Sequence, residues 1–180
     1  WRKLVSKYPN TEESSLALYR IGMVHEEKLQ DFDAALEAYR ALTWGSHAPQ
    51  ARQRIQVMTQ TSLAARTERV FRTDEIPQVH VNCRNIETLT VRLYRIDLEA
   101  YFRKMHGIGG VHTLDVSLIE PDKTWEETVE NYRDYMPYEQ TIDIPFEDDK
   151  PGACVVSVTD EENWRATTLV LRSDLELIVK

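Results

Sequence analysis

The chain has 180 residues, a formal net charge of -8 and an isoelectric point near 5.2. That length suffices for one large domain or two small ones, and 42% hydrophobic with 29% charged residues is a globular rather than a disordered mixture. The acidic balance argues against a nucleic-acid surface, which needs clustered Lys and Arg, and against an anionic membrane as partner. No apolar run approaches the roughly 20 residues that cross a bilayer, so direct membrane insertion is not expected. The chain opens on Trp1 rather than Met and is expected to be a piece of a longer protein, whose targeting signals it need not carry.

Residues 1–9 (WRKLVSKYP) place Trp1, Leu4, Val5 and Tyr8 at helical spacing, and Pro9 stops the run. Asn10 or Thr11 can cap the next helix, with Glu12 and Glu13 in its positive first turn. That helix is expected to run to about Leu29, with Leu16, Leu18, Ile21, Gly22 and His25 on its packing face. A second helix follows from about Phe32 to Thr43, with Ala35, Tyr39 and Leu42 on one stripe. Gly45 ends it. Pro49 suits the start of a third helix to about Arg66, with Ala51, Ile55, Met58 and Ser62 on its apolar side.

The spacing Leu18-x-x-Ile21-Gly22-x-x-His25, then Phe32-x-x-Ala35-x-x-x-Tyr39, resembles the tetratricopeptide repeat. Gly22 and Ala35 are small where two helices must approach closely. The match departs from the repeat at Leu18 for Trp, at His25 for Tyr, and in a helix-to-helix turn one residue longer. In that family the first helix of a repeat lines a peptide groove, which by analogy would set Leu16, Tyr19, Met23 and Glu26 toward a partner.

Beyond Arg66 the hydrophobic period changes from 3.6 to 2. In residues 77–97, Val79, Val81 and Cys83 alternate with polar residues, as do Leu89, Val91 and Leu93. With Arg84-Asn85 as the break, this reads as a hairpin seeding an antiparallel sheet. Residues 98–105 have a helical pattern, 106–110 form a Gly-rich loop, and Leu114, Val116 and Leu118 alternate as a strand. Residues 123–134 are polar and read as a partly helical connection. Tyr138, Gln140, Ile142, Ile144 and Phe146 line one face of another strand. Cys154, Val156 and Val158 continue the sheet, Leu169 and Leu171 share a face of the next strand, and 175–179 form a last run. The fold class expected is α+β in two parts: helices over 1–65, then an antiparallel β-sandwich over 66–180.

A second resemblance covers residues 67–180. Val70-Phe71-Arg72-Thr73-Asp74-Glu75-Ile76-Pro77, Val91-Arg92-Leu93-Tyr94-Arg95-Ile96-Asp97, Pro151-Gly152-Ala153, Thr168-Leu169-Val170-Leu171 and Ser173-Asp174-Leu175-Glu176-Leu177 resemble a macroglobulin-type domain of bacterial alpha-2-macroglobulin-like proteins. The resemblance implies that residues 174–180 open a following domain. It implies a large secreted, periplasmic or cell-envelope parent that traps proteases after cleavage of a bait region. This piece would be framework, acting through the other domains of the parent, with proteases or a peptide as further partners. A peptide-binding adaptor built on the helices is the competing expectation.

No catalytic constellation is expected, and no cofactor. His80, His106 and His112 lack the close spacing of a metal site. The segment 107–110 lacks the context of a phosphate loop. The acidic turns 148–149 and 161–162 lack calcium-loop spacing. Neither Cys83 nor Cys154 begins the Cys-x-x-Gln motif from which that family's reactive thioester forms. Two buried free thiols and a disulfide between strands both remain open at this stage.

Overall fold

A computed structural model describes residues 1–97, 100, 103, 119–146, 150–160 and 162–174. All of the expected helix over 98–105 but Ala100 and Arg103, the Gly-rich loop with His106 and His112, the strand at 114–118, the acidic turn at 148–149 and the run at 175–179 therefore lie outside the described residues. The fold is mixed α+β, with helices followed by two antiparallel sheets. The chain divides into two compact units: Trp1–Thr61 with Tyr132–Pro137, and Ser62–Asn131 with Tyr138–Lys180.

In the helical unit, α1 spans Arg2–Lys7, α2 Glu12–Val24, α3 Phe32–Ala41 and α4 Ala48–Thr59. Of the two expected caps for α2, Thr11 serves. Its hydroxyl accepts from the Ser14 amide while the Ser14 hydroxyl accepts from the Thr11 amide, so two orphan donors are satisfied reciprocally. Asp31 caps α3 through the Ala34 amide. The extra residue noted between α2 and α3 is taken up as a wider turn. His25–Leu29 is one π-helical turn, ended by Gln30 in the left-handed region at φ 51. Ala35, Leu36, Tyr39, Leu42, Ala48, Ala51 and Met58 form the core. Gly22 faces Tyr39 so closely that a Cβ there would lie 2.7 Å from ring atom Cδ1.

The third helix is shorter than expected. It ends at Thr59, and Ser62–Arg66 is strand β1. Ala and Arg favour helix locally, but Leu63 and Ala65 pair with Cys83 and Val81 of β2 (Gln78–Arg84), and tertiary pairing overrides propensity. The expected boundary at 65/66 falls inside β1.

The remaining strands are β3 Thr88–Ile96, β4 Lys123–Thr128, β5 Pro137–Asp143, β6 Gly152–Thr159 and β7 Arg165–Arg172. One sheet has the order β1-β2-β5 and the other β4-β3-β6-β7. The expected hairpin over 77–97 is overturned, because β2 and β3 belong to different sheets. Asn85, at φ 58, reverses the chain, yet the two strands do not pair. The connection expected at 123–134 contains β4, paired antiparallel with β3 from Thr88↔Thr128 to Leu93↔Lys123. β4 is an edge strand among the described residues, mostly exposed, so its polar sequence KTWEET carries no core signal. β5 stops at Asp143. Ile144 lies beyond it but is fully buried, and its amide donates to the Pro77 carbonyl at 2.8 Å.

Val79, Val81, Leu89, Val91, Val155, Val156 and Val158 are fully buried. The second sheet is apolar on both sides. Leu93 pairs with Val156, whereas the adjacent Tyr94 pairs with Val155 and packs with Ile96 and Leu169. In β7 it is Thr168, Val170 and Arg172 that are buried, rather than Leu169 and Leu171. Residues 67–73 then leave the first sheet and join the edge of the second. The Phe71 amide donates to the Leu171 carbonyl at 2.9 Å and the Ser173 amide to the Phe71 carbonyl at 2.8 Å.

Candidate interaction site

The run 69–77 carries a close set of polar contacts in the β unit. Arg69 forks onto Glu75, with nitrogen–oxygen distances of 2.6 and 3.2 Å. Glu75 also accepts from the Arg72 amide at 2.8 Å, closing a tight turn. Both features hold the Glu75 carboxyl below its ordinary range. Asp174 reaches back across the chain to the same turn. It accepts from the Thr73 amide at 3.0 Å and from the Thr73 hydroxyl at 2.6 Å, which lowers its pKa. A lowered carboxylate contributes stability above its ordinary range and loses it as pH falls through the lowered value. The contribution of these two carboxylates to this seam is therefore lost on acidification.

Beside the seam lies a cavity of about 580 Å³. Ile76, Trp125, Ile144 and Phe146 give it apolar walls, and Lys123 and Arg172 bring positive charge. The Arg172 guanidinium stands over the Phe146 ring at 5.1 Å. Glu75 is engaged by Arg69, and Asp143 accepts from the Gln78 amide group at 2.9 Å. An aromatic-walled hollow with placed charges suits a bound side chain. Sequence reading missed it, because Trp125 stood in a stretch read as connection and Arg172 at the end of a strand.

The four residues expected to face a partner are all partly exposed on α2 or the turn after it. Tyr19 tilts against Tyr39 and His47, with ring centroids 5.8 and 5.7 Å apart. Met23 lies beside Trp1, Arg20 and Val24. Leu16 stays partly exposed. Glu26 instead turns inward. Its carboxylate accepts from the Tyr39 hydroxyl at 2.8 Å and from Arg54 Nε and Nη2 at 3.0 and 2.6 Å. Burial first, then Glu26, drives the Tyr39 phenol far above its usual range, so the hydroxyl remains a donor.

Both cysteines are buried free thiols. Burial raises Cys83 above the ordinary thiol range and pushes Cys154 up to about 12. An activated nucleophile needs the opposite shift. We therefore expect no reaction of either thiol with an aromatic disulfide reagent in the folded protein at pH 8, and two equivalents after unfolding in urea. Rapid reaction of one thiol in the native protein would contradict this burial. His80 lies 3.2 Å from the Thr141 hydroxyl and 3.7 Å from Glu68. Among the described residues no three His, Cys, Asp or Glu side chains gather as metal ligands, and no helix is long and apolar enough to cross a membrane.

These features define a mixed α+β chain in which a helical unit precedes antiparallel sheets. No known family profile and no curated protein sequence matches it. Among solved structures it is weakly similar to native alpha-2-macroglobulin from Escherichia coli spanning domains NIE-MG1. The TM-score is 0.38 and the identity 12%, over 64% of this chain. The chain spans 62% of the length of that structure.

Proposed function

We propose that the chain is a non-catalytic structural and interaction module of a large macroglobulin-like protease-trapping protein. In this reading the two sheets are the layers of a β-sandwich, and the helices are a tetratricopeptide-like arm. The observation that supports it best is the seam. Thr73 stands in the first motif of the macroglobulin resemblance, and Asp174 in the Ser-Asp-Leu segment that this resemblance assigns to the start of a following domain. The two lie 101 residues apart in sequence, yet hydrogen-bond directly. Such a clasp fixes where the chain enters and leaves, which is what a module in a series of domains requires. The cavity framed by 73–77 and β4 is the surface that would meet a neighbouring domain or partner. The parent would act in the envelope, the periplasm or outside the cell, and this piece would neither make nor break a covalent bond.

The test has two arms. The chain is incubated with active endoproteases and with labelled peptides, and we expect no turnover and no adduct that survives denaturing electrophoresis. Hydrolysis or covalent capture by this chain would overturn the non-catalytic reading. Peptide mapping of the native full-length protein should find further β modules downstream. A short protein of helical repeats alone would overturn the macroglobulin reading.

A further inference from the structure

We infer that Tyr132–Pro137 is a strap, an internal ligand that closes over the turn between α2 and α3 and releases as a unit. The inference does not depend on the parent being a protease trap. The segment follows β4 and ends on the first residue of β5, yet it belongs to the helical unit. The Arg133 guanidinium donates to the Gln30 carbonyl at 2.6 Å and stands over the Phe32 ring at 5.9 Å. Gln30 is where the π-helical turn ends, and carbonyls at a helix end lack a partner within the helix. Arg133 supplies a charged donor at that end.

Two further side chains seat the segment, since Tyr135 and Met136 pack against the core that Phe32, Leu36 and Tyr39 help to form. The backbone is bent to bring them there. The Met136 amide bonds to the Arg133 carbonyl at 3.3 Å, closing a turn whose third residue, Tyr135, has φ 67. Glycine or asparagine is usual at such a position, and a tyrosine stays there only while packing holds it. Arg133, Asp134 and Pro137 are exposed. Arg133, Tyr135 and Met136 seat the segment against a backbone strained at Tyr135. A short, partly exposed connection with a strained turn opens at lower free energy than a central strand. Its release would uncover the flank of Phe32 to a peptide of the same chemistry that can adopt the same turn, an arginine two residues before an aromatic and a methionine.

The test is hydrogen exchange on the whole chain. In low urea we expect the amides of 133–136 and 30–34 to open together, at least tenfold faster than Val155–Val158 of β6. Exchange of both regions only with global unfolding would overturn the strap. Arg133→Ala should raise exchange at 30–34 and 133–136 tenfold or more and leave β6 unchanged, with Arg133→Lys intermediate. No change at 30–34 would overturn the role of Arg133. A synthetic peptide of residues 131–138 should bind Arg133→Ala at least tenfold more tightly than the native chain, where the seat is filled. Equal binding to the two would overturn occupation in cis. If the alanine variant does not fold, the urea experiment on the native chain decides alone.

Discussion

Gly22→Ala should destabilise the helical unit by about 2 kcal/mol, although alanine is the better helix former. Alanine gains about 1 kcal/mol of helix propensity over glycine, while forcing volume into a packed core costs up to about 3 kcal/mol. The second term wins because the neighbour cannot move. The added methyl would lie 2.7 and 2.8 Å from Cδ1 and Cζ of Tyr39. That ring is 1% exposed, and its hydroxyl is tied to Glu26 at 2.8 Å. Urea midpoints of Gly22→Ala, Tyr39→Ala and the double variant would measure this. Once the ring is gone, the same Gly22→Ala change should turn neutral or stabilising. A neutral Gly22→Ala in the native background would mean that α2 and α3 are not in such close contact.

Glu26→Ala should destabilise by about 2–3 kcal/mol, more than most substitutions at a partly exposed acid. The change would leave the Tyr39 hydroxyl and the Arg54 guanidinium without their shared acceptor, and stranding buried donors exceeds the loss of the bonds themselves. Arg54 is 34% exposed and Glu26 10%, so water recovers part of the loss on the Arg54 side. Glu27, 3.5 Å from Arg54, recovers a little more. Tyr39→Phe, which removes one donor and strands nothing charged, should cost only about 1 kcal/mol. Denaturant unfolding of the three variants tests the order. If Glu26→Ala were as mild as Tyr39→Phe, the carboxylate would be a surface group, available to a peptide in the way the repeat resemblance suggests.

That contrast shows where sequence reading stopped. Glu26 sits at a position that faces a groove in the repeat pattern, and nothing in its neighbours signals otherwise. Its inward turn depends on Arg54, 28 residues away on α4. Trp125 shows the same limit. β4 alternates too weakly to be read as a strand, because as an edge strand it buries only part of one face.

By itself the sequence determined what depends on neighbours a few residues apart. A cap at Asn10 or Thr11, the α2–α3 hairpin, the close approach at Gly22 and Ala35, and the change from period 3.6 to period 2 all follow from local hydrogen bonding and from side-chain direction along one element. Tertiary structure alone decided which strand pairs with which. Val79–Cys83 and Leu89–Leu93 have the same alternation whether they form a hairpin or enter separate sheets, because period 2 fixes a face but not a partner. It decided that Ser62–Arg66 is a strand, that Thr73 meets Asp174, and that Tyr132–Pro137, which leads into β5, completes a helical unit. Each of these depends on groups distant in the chain, whose encounter no local pattern records.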